Sequence, residues 1–268
     1  MAKMAELPAR GIIEVTGADR VSFLQGLVSN DVENAAPGHP VFAAFLTPQG
    51  KWLADFIIFA EPDRLLLDAE AGQVAMLIQK LSRFRLRMKV ALADASDNLA
   101  VYAGWDGPVP EGASPDPRLA ALGWRMIAPK GVAVTASADD WDAHRLALGV
   151  PDGSRDLEAD KTVLLEAGYD ELAGISWTKG CYMGQELTAR TKYRGLLKRR
   201  LVRVEGVLPP PGTPILRDGT EVGSMRSGRG NVGLAVLRLD AMGAALTADG
   251  QSLRATPPDW MRLPEQAA

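Results

Sequence analysis

The peptide Lys179-Gly180-Cys181-Tyr182-Met183-Gly184-Gln185-Glu186 gathers an ammonium, a thiol, an amide and a carboxylate, and it contains the chain's single cysteine. A thiol becomes a good nucleophile and metal ligand once ionised, and a nearby cation or a helix N-terminus favours the thiolate. In an extended backbone Lys179 and Cys181 project to the same side, and Gln185 to Lys192 is compatible with a helix that begins just beyond. The two glycines let another backbone approach closely. A solitary thiolate can attack an electrophile, enter a mixed disulfide or give one ligand to a shared iron centre, but it cannot cage a cluster. The opposing reading is a packed cysteine acting as a small hydrophobe.

The elements that must position this peptide follow from the pattern of apolar residues. Val21, Leu24, Leu27 and Val28 recur at helical spacing between Thr16 and Asn30, with a cap at Thr16 or Asp19. Two β-rich runs, Val41 to Leu46 and Trp52 to Ala60, flank Thr47-Pro48-Gln49-Gly50 and read as a hairpin. A strand near Leu65 to Leu67, a helix over about 72–81 and a strand over about 85–92 complete an α+β module. The proline-rich stretch Asp106 to Pro117 is a loop, and a helix over about 138–148 stops at Gly149 and Pro151. After Lys198, short strands with Asp218-Gly219 and Asp249-Gly250 turns suggest a terminal β-barrel. The expected division is 1–95, an α+β domain; 96–192, an α/β domain ending in the cysteine peptide; and 193–268, the barrel.

Composition narrows the chemistry. With 268 residues, 47% of them hydrophobic, the chain can bury a sizeable core, and 30 basic against 33 acidic residues give a net charge of −3. Nothing in that balance attracts nucleic acid or an anionic membrane over long range. One cysteine and two histidines exclude an internal disulfide and a Cys/His zinc site, so no metal is expected to be held by this chain alone. The scarcity of histidine also argues against a Ser-His-Asp hydrolase. Without a signal-like N-terminus or a run of roughly 18 apolar residues, the expected location is cytoplasmic, with no membrane partner.

Lys179 to Glu186 resembles the signature of the YgfZ family of folate-binding iron–sulfur maturation proteins, and the continuation Leu187 to Thr191 is most similar to its mitochondrial-type branch. Phe23 to Leu27 with Ser29-Asn30-Asp31, Leu46 to Lys51, and Gly233-Leu234-Ala235 extend the likeness over nearly the whole chain. The wider superfamily contains the glycine-cleavage aminomethyltransferase, or T-protein. The resemblance therefore implies an α+β, three-domain aminomethyltransferase-like fold with a C-terminal β-barrel. It implies a tetrahydrofolate-binding accessory protein that supports assembly or repair of 4Fe–4S clusters, with A-type iron–sulfur carriers and 4Fe–4S client enzymes as partners.

The same resemblance nominates site residues. Cys181 and Lys179 are the candidates for chemistry, Cys181 as a possible single ligand of a shared cluster. Asn30, Asp31, Trp52, Asp55, Glu166, Tyr182, Gln185, Glu186 and Arg190 are the candidates for binding tetrahydrofolate or a derivative. Leu165-Glu166-Ala167-Gly168 is similar to the T-protein segment whose glutamate anchors the pterin, and a carboxylate suits that role because it accepts from amino and ring N–H groups together. Trp52 could stack on an aromatic ring of the folate or fill the core. Of the paired aspartates of the T-protein only Asp55 remains, since Ala54 replaces the first. That weakens the alternative of a folate-dependent aminomethyl or one-carbon transferase. A second alternative is a non-catalytic scaffold with a structural cysteine.

Two basic stretches complete the inventory. Arg83, Arg85, Arg87 and Lys89 alternate with Phe84, Leu86, Met88 and Val90, as on a strand with one cationic face, either solvated or facing a folate tail. Arg190 to Arg203 is rich in bases and has no acidic residue. It could hold a folate tail, a phosphate or an acidic partner, whereas the lack of interleaved aromatics other than Tyr193 argues against nucleic acid.

Overall fold

The computed structural model describes residues 2–263. Its first two strands join different sheets: β1 (Lys3–Glu6) pairs with Tyr102 to Trp105, whereas β2 (Arg10–Thr16) belongs to the N-terminal sheet. The helix expected over Thr16 to Asn30 is the shorter α1 (Arg20–Gln25), because Gly26 closes it and Val28 leaves it to bridge Phe45. The hairpin forms as expected from β3 (Val41–Leu46) and β4 (Trp52–Ala60). Its turn is closed by the Thr47 N–H donating to the Lys51 carbonyl and the Gly50 N–H donating to that of Thr47. β5 (Arg64–Glu70), α2 (Val74–Ser82) and β6 (Ala91–Asp94) complete the module, with strand order β3-β4-β5-β2-β6.

Every residue of β3 is apolar because both faces of this sheet are covered. Ala43 and Phe45 pack under α1 and α2, while Phe42, Ala44 and Leu46 pack with Leu157, Leu164, Tyr169 and Tyr182 on the other side. The strand expected over 85–92 begins only at Ala91. Residues 83–88 instead make consecutive turns, in which the N–H groups of Arg83, Phe84, Arg85 and Met88 donate to the carbonyls of Lys80, Leu81, Ser82 and Arg85. Those donors are then lost to any β-ladder.

The second sheet orders β1, β7 (Leu99–Trp105), β9 (Trp124–Pro129) and β8 (Ser114–Pro115). α3 (Ala138–Ala147) starts at a Ser137/Asp140 capping box and stops before Gly149. Residues 150–184 then wrap the open face of the N-terminal sheet and lead into α4 (Gln185–Tyr193). A closed barrel follows, built from β10 (Arg199–Gly206), β11 (Pro214–Arg217), β12 (Thr220–Arg229), β13 (Val232–Arg238), β14 (Leu246–Ala248) and β15 (Gln251–Thr256). Asp218-Gly219 and Asp249-Gly250 form two of its two-residue turns, each with both residues at positive φ.

Buried ions tie the three parts together. Asp68 on β5 accepts from Arg10 of β2 and Arg125 of β9, each at 2.6 Å. Arg125 also reaches Asp116, where burial opposes ionisation but Arg118 and Arg125 prevail and hold the carboxyl at about 2. Arg145 of α3 donates to Asp142 and Asp156, both at 2.7 Å, and to Ser227 of the barrel at 2.8 Å. A buried network of this kind is sensitive to loss of one member, because the remaining charge has no solvent to turn to. Asp68→Ala, which leaves Arg125 to Asp116 alone and Arg10 with Asp152 only at 3.8 Å, should cost about 3–5 kcal/mol, measured as a lowered urea midpoint.

Candidate functional site

The cysteine peptide is mounted on the N-terminal module by contacts on either side of the thiol. Upstream, the Ser176 N–H donates to the Ser29 carbonyl at 3.0 Å, and the Lys179 N–H donates to Ser176 Oγ at 3.2 Å. Lys179 Nζ then donates to the carbonyls of Val28 at 2.9 Å and Asn30 at 2.6 Å. Downstream, the Met183 N–H donates to the Gly26 carbonyl at 3.1 Å, and α4 starts at Gln185 as expected. Between these anchors Cys181 is exposed.

The hinge into α4 is a meeting of two glycines. Gly184 has φ 81°, and a Cβ placed on it would lie 2.5 Å from the Thr47 carbonyl oxygen and 2.9 Å from Gly50 Cα. A Cβ on Gly50 would in turn lie 2.6 Å from the Gly184 carbonyl oxygen. The hairpin turn and the cysteine peptide therefore interlock through bare backbone.

Lys179 differs from its expected placement. It is buried while Cys181 is exposed, so the two do not share a face, because the ammonium is drawn to the Val28 and Asn30 carbonyls. Burial lowers its pKa to about 8, with Asp31 and Glu33 opposing the shift. Its role in this geometry is to hold the peptide in place. Tyr182 is also buried, against the N-terminal sheet, and burial pushes its hydroxyl up to about 12.

The remaining candidates separate into groups. Asn30 Nδ2 donates to the carbonyls of Phe42 at 2.8 Å and Ala173 at 2.7 Å, and Asp31 accepts from Gln25 and from the Glu33 N–H. Both brace the segment that supports Lys179. Trp52 is fully buried and Asp55 nearly so, and a single oxygen, Asp55 Oδ2, accepts from Trp52 Nε1 at 3.1 Å and Tyr169 Oη at 2.6 Å. Trp52 is thus a core side chain and presents no open face for stacking. Gln185 and Glu186 lie in the first turn of α4 and Arg190 in its last, with Glu186 and Arg190 exposed and each carrying the charge that suits its helix end.

Glu166 lies elsewhere, between the wrapping segment and the barrel. It lines a cavity of about 230 Å³ together with Glu158, Lys161, Thr162, Arg199 and Arg226, and its Oε1 accepts from Arg199 Nε at 2.9 Å. The Thr162 carbonyl at this wall accepts from the Trp52 N–H, linking cavity and core. Arg199 belongs to the basic stretch noted in the sequence. Tyr169 and Arg226 carried no local signal, since only the tertiary fold brings them to Asp55 and Glu158.

The architecture is that of an aminomethyltransferase. A solved structure of glycine cleavage system aminomethyltransferase T from Bartonella henselae matches with a TM-score of 0.79, covering 97% of this chain and 86% of that one at 14% identity, a likeness of fold. Residues 198–263 match the family described as CAF17, C-terminal beta-barrel domain. The iron–sulfur cluster assembly factor IBA57, mitochondrial, of Homo sapiens is 34% identical over 95% of this chain and 84% of its own length. That of Mus musculus is 31% identical over the same shares, and the homolog of Mycosarcoma maydis is 36% identical over 79% of this chain and 60% of its own length. The chain belongs to the IBA57 family of iron–sulfur cluster assembly factors.

The cytoplasmic location expected from the sequence is corrected by these relatives, which are named as mitochondrial proteins. The inference failed because the lack of an apolar N-terminal run speaks only to secretory signals and membrane spans.

Two consequences of the geometry are measurable. Gly184→Ala should cost about 2 kcal/mol or more, from the left-handed backbone together with contact against fixed backbone atoms, and should accelerate alkylation of Cys181 as its mount loosens. Burial raises the Asp55 carboxyl above its ordinary 3.8, with Arg10 and the Tyr169 hydrogen bond opposing. The folded state then keeps a proton that the unfolded chain has released. Stability from this group is complete below the ordinary value and is lost as pH rises through the raised one. Asp55→Asn retains one oxygen for Trp52 and Tyr169 and should flatten that decline, read by urea unfolding from about pH 4 to pH 7.

Proposed function

We propose that the chain is a tetrahydrofolate-binding helper in the assembly or repair of 4Fe–4S clusters, acting on client enzymes together with an A-type carrier. The observation that carries this reading is the exposed Cys181 held between rigid anchors. One fixed, accessible cysteine sulfur is suited to completing a coordination shell whose other ligands come from a second protein. Membership of a family of iron–sulfur cluster assembly factors supports the same role.

The residues around the Glu166 cavity suit a folate. Glu166 offers an acceptor for the pterin amino and ring N–H groups, and Lys161, Arg199 and Arg226 offer cations for the carboxylate tail. When bound, tetrahydrofolate supplies a reduced pterin and, in substituted forms, a one-carbon unit. Glu166 would orient the ring once Arg199 turns to the ligand. The transferase alternative is disfavoured by Ala54, which is fully buried beside Phe45 and Phe56, where a second carboxylate would be desolvated without a partner. The scaffold alternative is disfavoured by the exposure of Cys181, since a structural cysteine would be packed.

Gene deletion with rescue tests the reading. Wild type should restore 4Fe–4S enzyme activities, and Cys181→Ser should not. Full rescue by the serine variant would remove the thiol from the mechanism. Calorimetry with tetrahydrofolate should show Glu166→Ala weakening affinity by about 1–3 kcal/mol, and unchanged affinity would move the folate to another site.

A further inference from the structure

The loop over residues 83–89 is left without a role by the site described above. Arg83, Arg85, Arg87 and Lys89 are all exposed, and among the described residues none has a carboxylate within ion-pair distance. The arginines that tie the sheets together, Arg10, Arg118, Arg125 and Arg145, are by contrast all paired with carboxylates. Asp19, the nearest acidic side chain bonded to the loop, is engaged by the Lys89 main-chain N–H at 2.7 Å, and the cluster remains cationic.

At the tip, Leu86 is 89% exposed and sits at φ 45°, a conformation disfavoured for a residue with a Cβ. The tip is nonetheless held. Consecutive turn hydrogen bonds run from Lys80 to Met88, Phe84 packs edge-on against Phe45 with ring centroids 6.4 Å apart, and Met88 joins the core. An aliphatic side chain displayed on a braced loop among four unpaired cations is preorganised for a partner, so little ordering entropy opposes docking. Its position is also informative. Phe84 rests on Phe45, Phe45 bridges Val28, and the Val28 carbonyl holds Lys179, two residues from the thiol.

We propose that this loop is a docking element for an acidic face of the protein that meets the chain at Cys181, with Leu86 seated in an apolar recess of that face. The inference rests on the reading that a partner protein engages the thiol. The cations steer and orient the encounter, and Leu86 limits dissociation. A lipid surface is the weaker occupant, because Phe84, although 41% exposed, is held edge-on against Phe45, and Phe84 and Leu86 together insert too little apolar area for stable anchoring.

The test uses the full chain and an A-type iron–sulfur carrier as the probe, with binding followed by surface plasmon resonance at several salt concentrations. The charge reversals R83E, R85E and R87E together should lower affinity roughly tenfold or more, mainly through association, and abolish its salt dependence. L86D should raise the dissociation rate instead. Urea midpoints and Cys181 alkylation rates matching wild type confirm that the fold and the site are intact, and C181S should retain the salt-dependent association. Wild-type binding left unchanged by the loop variants would overturn the docking element while leaving the partner reading in place. No binding by wild type would overturn both. Loop-dependent retention on phosphatidylglycerol vesicles, with carrier affinity unchanged, would overturn it in favour of a membrane contact.

Discussion

The contact between Gly50 and Gly184 is the constraint on which the placement of the thiol depends. Two backbones approach so closely there that neither residue can carry a side chain without displacing main-chain atoms of the other segment. The approach fixes where the cysteine peptide leaves the N-terminal sheet and where α4 begins. With Gly184 held against the hairpin turn and Lys179 held on Val28 and Asn30, the chain between has little freedom. Cys181 is exposed by that geometry.

The same constraint explains how labour is divided among the polar groups of the region. A lysine two residues from a thiol can serve it as a charge or serve the backbone as a tether, and the local sequence permits both. Here the main-chain carbonyls of Val28 and Asn30, in the segment that follows α1, both accept from one buried ammonium. Asn30 acts in the same direction, joining β3 to the segment at Ala173. The Ser29-Asn30-Asp31 triplet therefore reads as the platform of the cysteine peptide.

What was legible in the sequence is what local chemistry decides. Pro48 and Gly50 set the hairpin, Gly149 and Pro151 end α3, and the Asp-Gly pairs mark barrel turns, because each of these depends on a few adjacent residues. The stretch Arg83 to Val90 misled because alternation is a necessary condition for a strand and supplies no neighbouring edge; with turn bonds taking the amide donors, Met88 reaches the core from a loop and Phe84 only edges against Phe45. Trp52 was ambiguous for a related reason. Whether an indole lines a pocket or fills a core depends on what covers it, and here the cover is Tyr169 and the residues around Leu157 and Leu164, more than 100 positions along the chain. Glu166 was placed by resemblance, but its neighbour Arg226 comes from the barrel and no local pattern announces it.

Separation of the exposed thiol from the Glu166 cavity bears on how the molecule can act. The thiol is mounted on the N-terminal module, whereas the cavity lies between the wrapping segment and the barrel, and buried ion pairs centred on Arg125 and Arg145 bind the parts into one body. In such a body a ligand at the cavity influences the thiol through the segment they share, residues 157–184, more readily than by direct contact. That segment packs Leu157, Leu164, Tyr169 and Tyr182 against one face of the N-terminal sheet. Densely packed interiors transmit small displacements because they have few voids to absorb them. On the reading proposed above, a folate held by Glu166 would steady the wall whose far end carries Cys181, with no need for the two to touch.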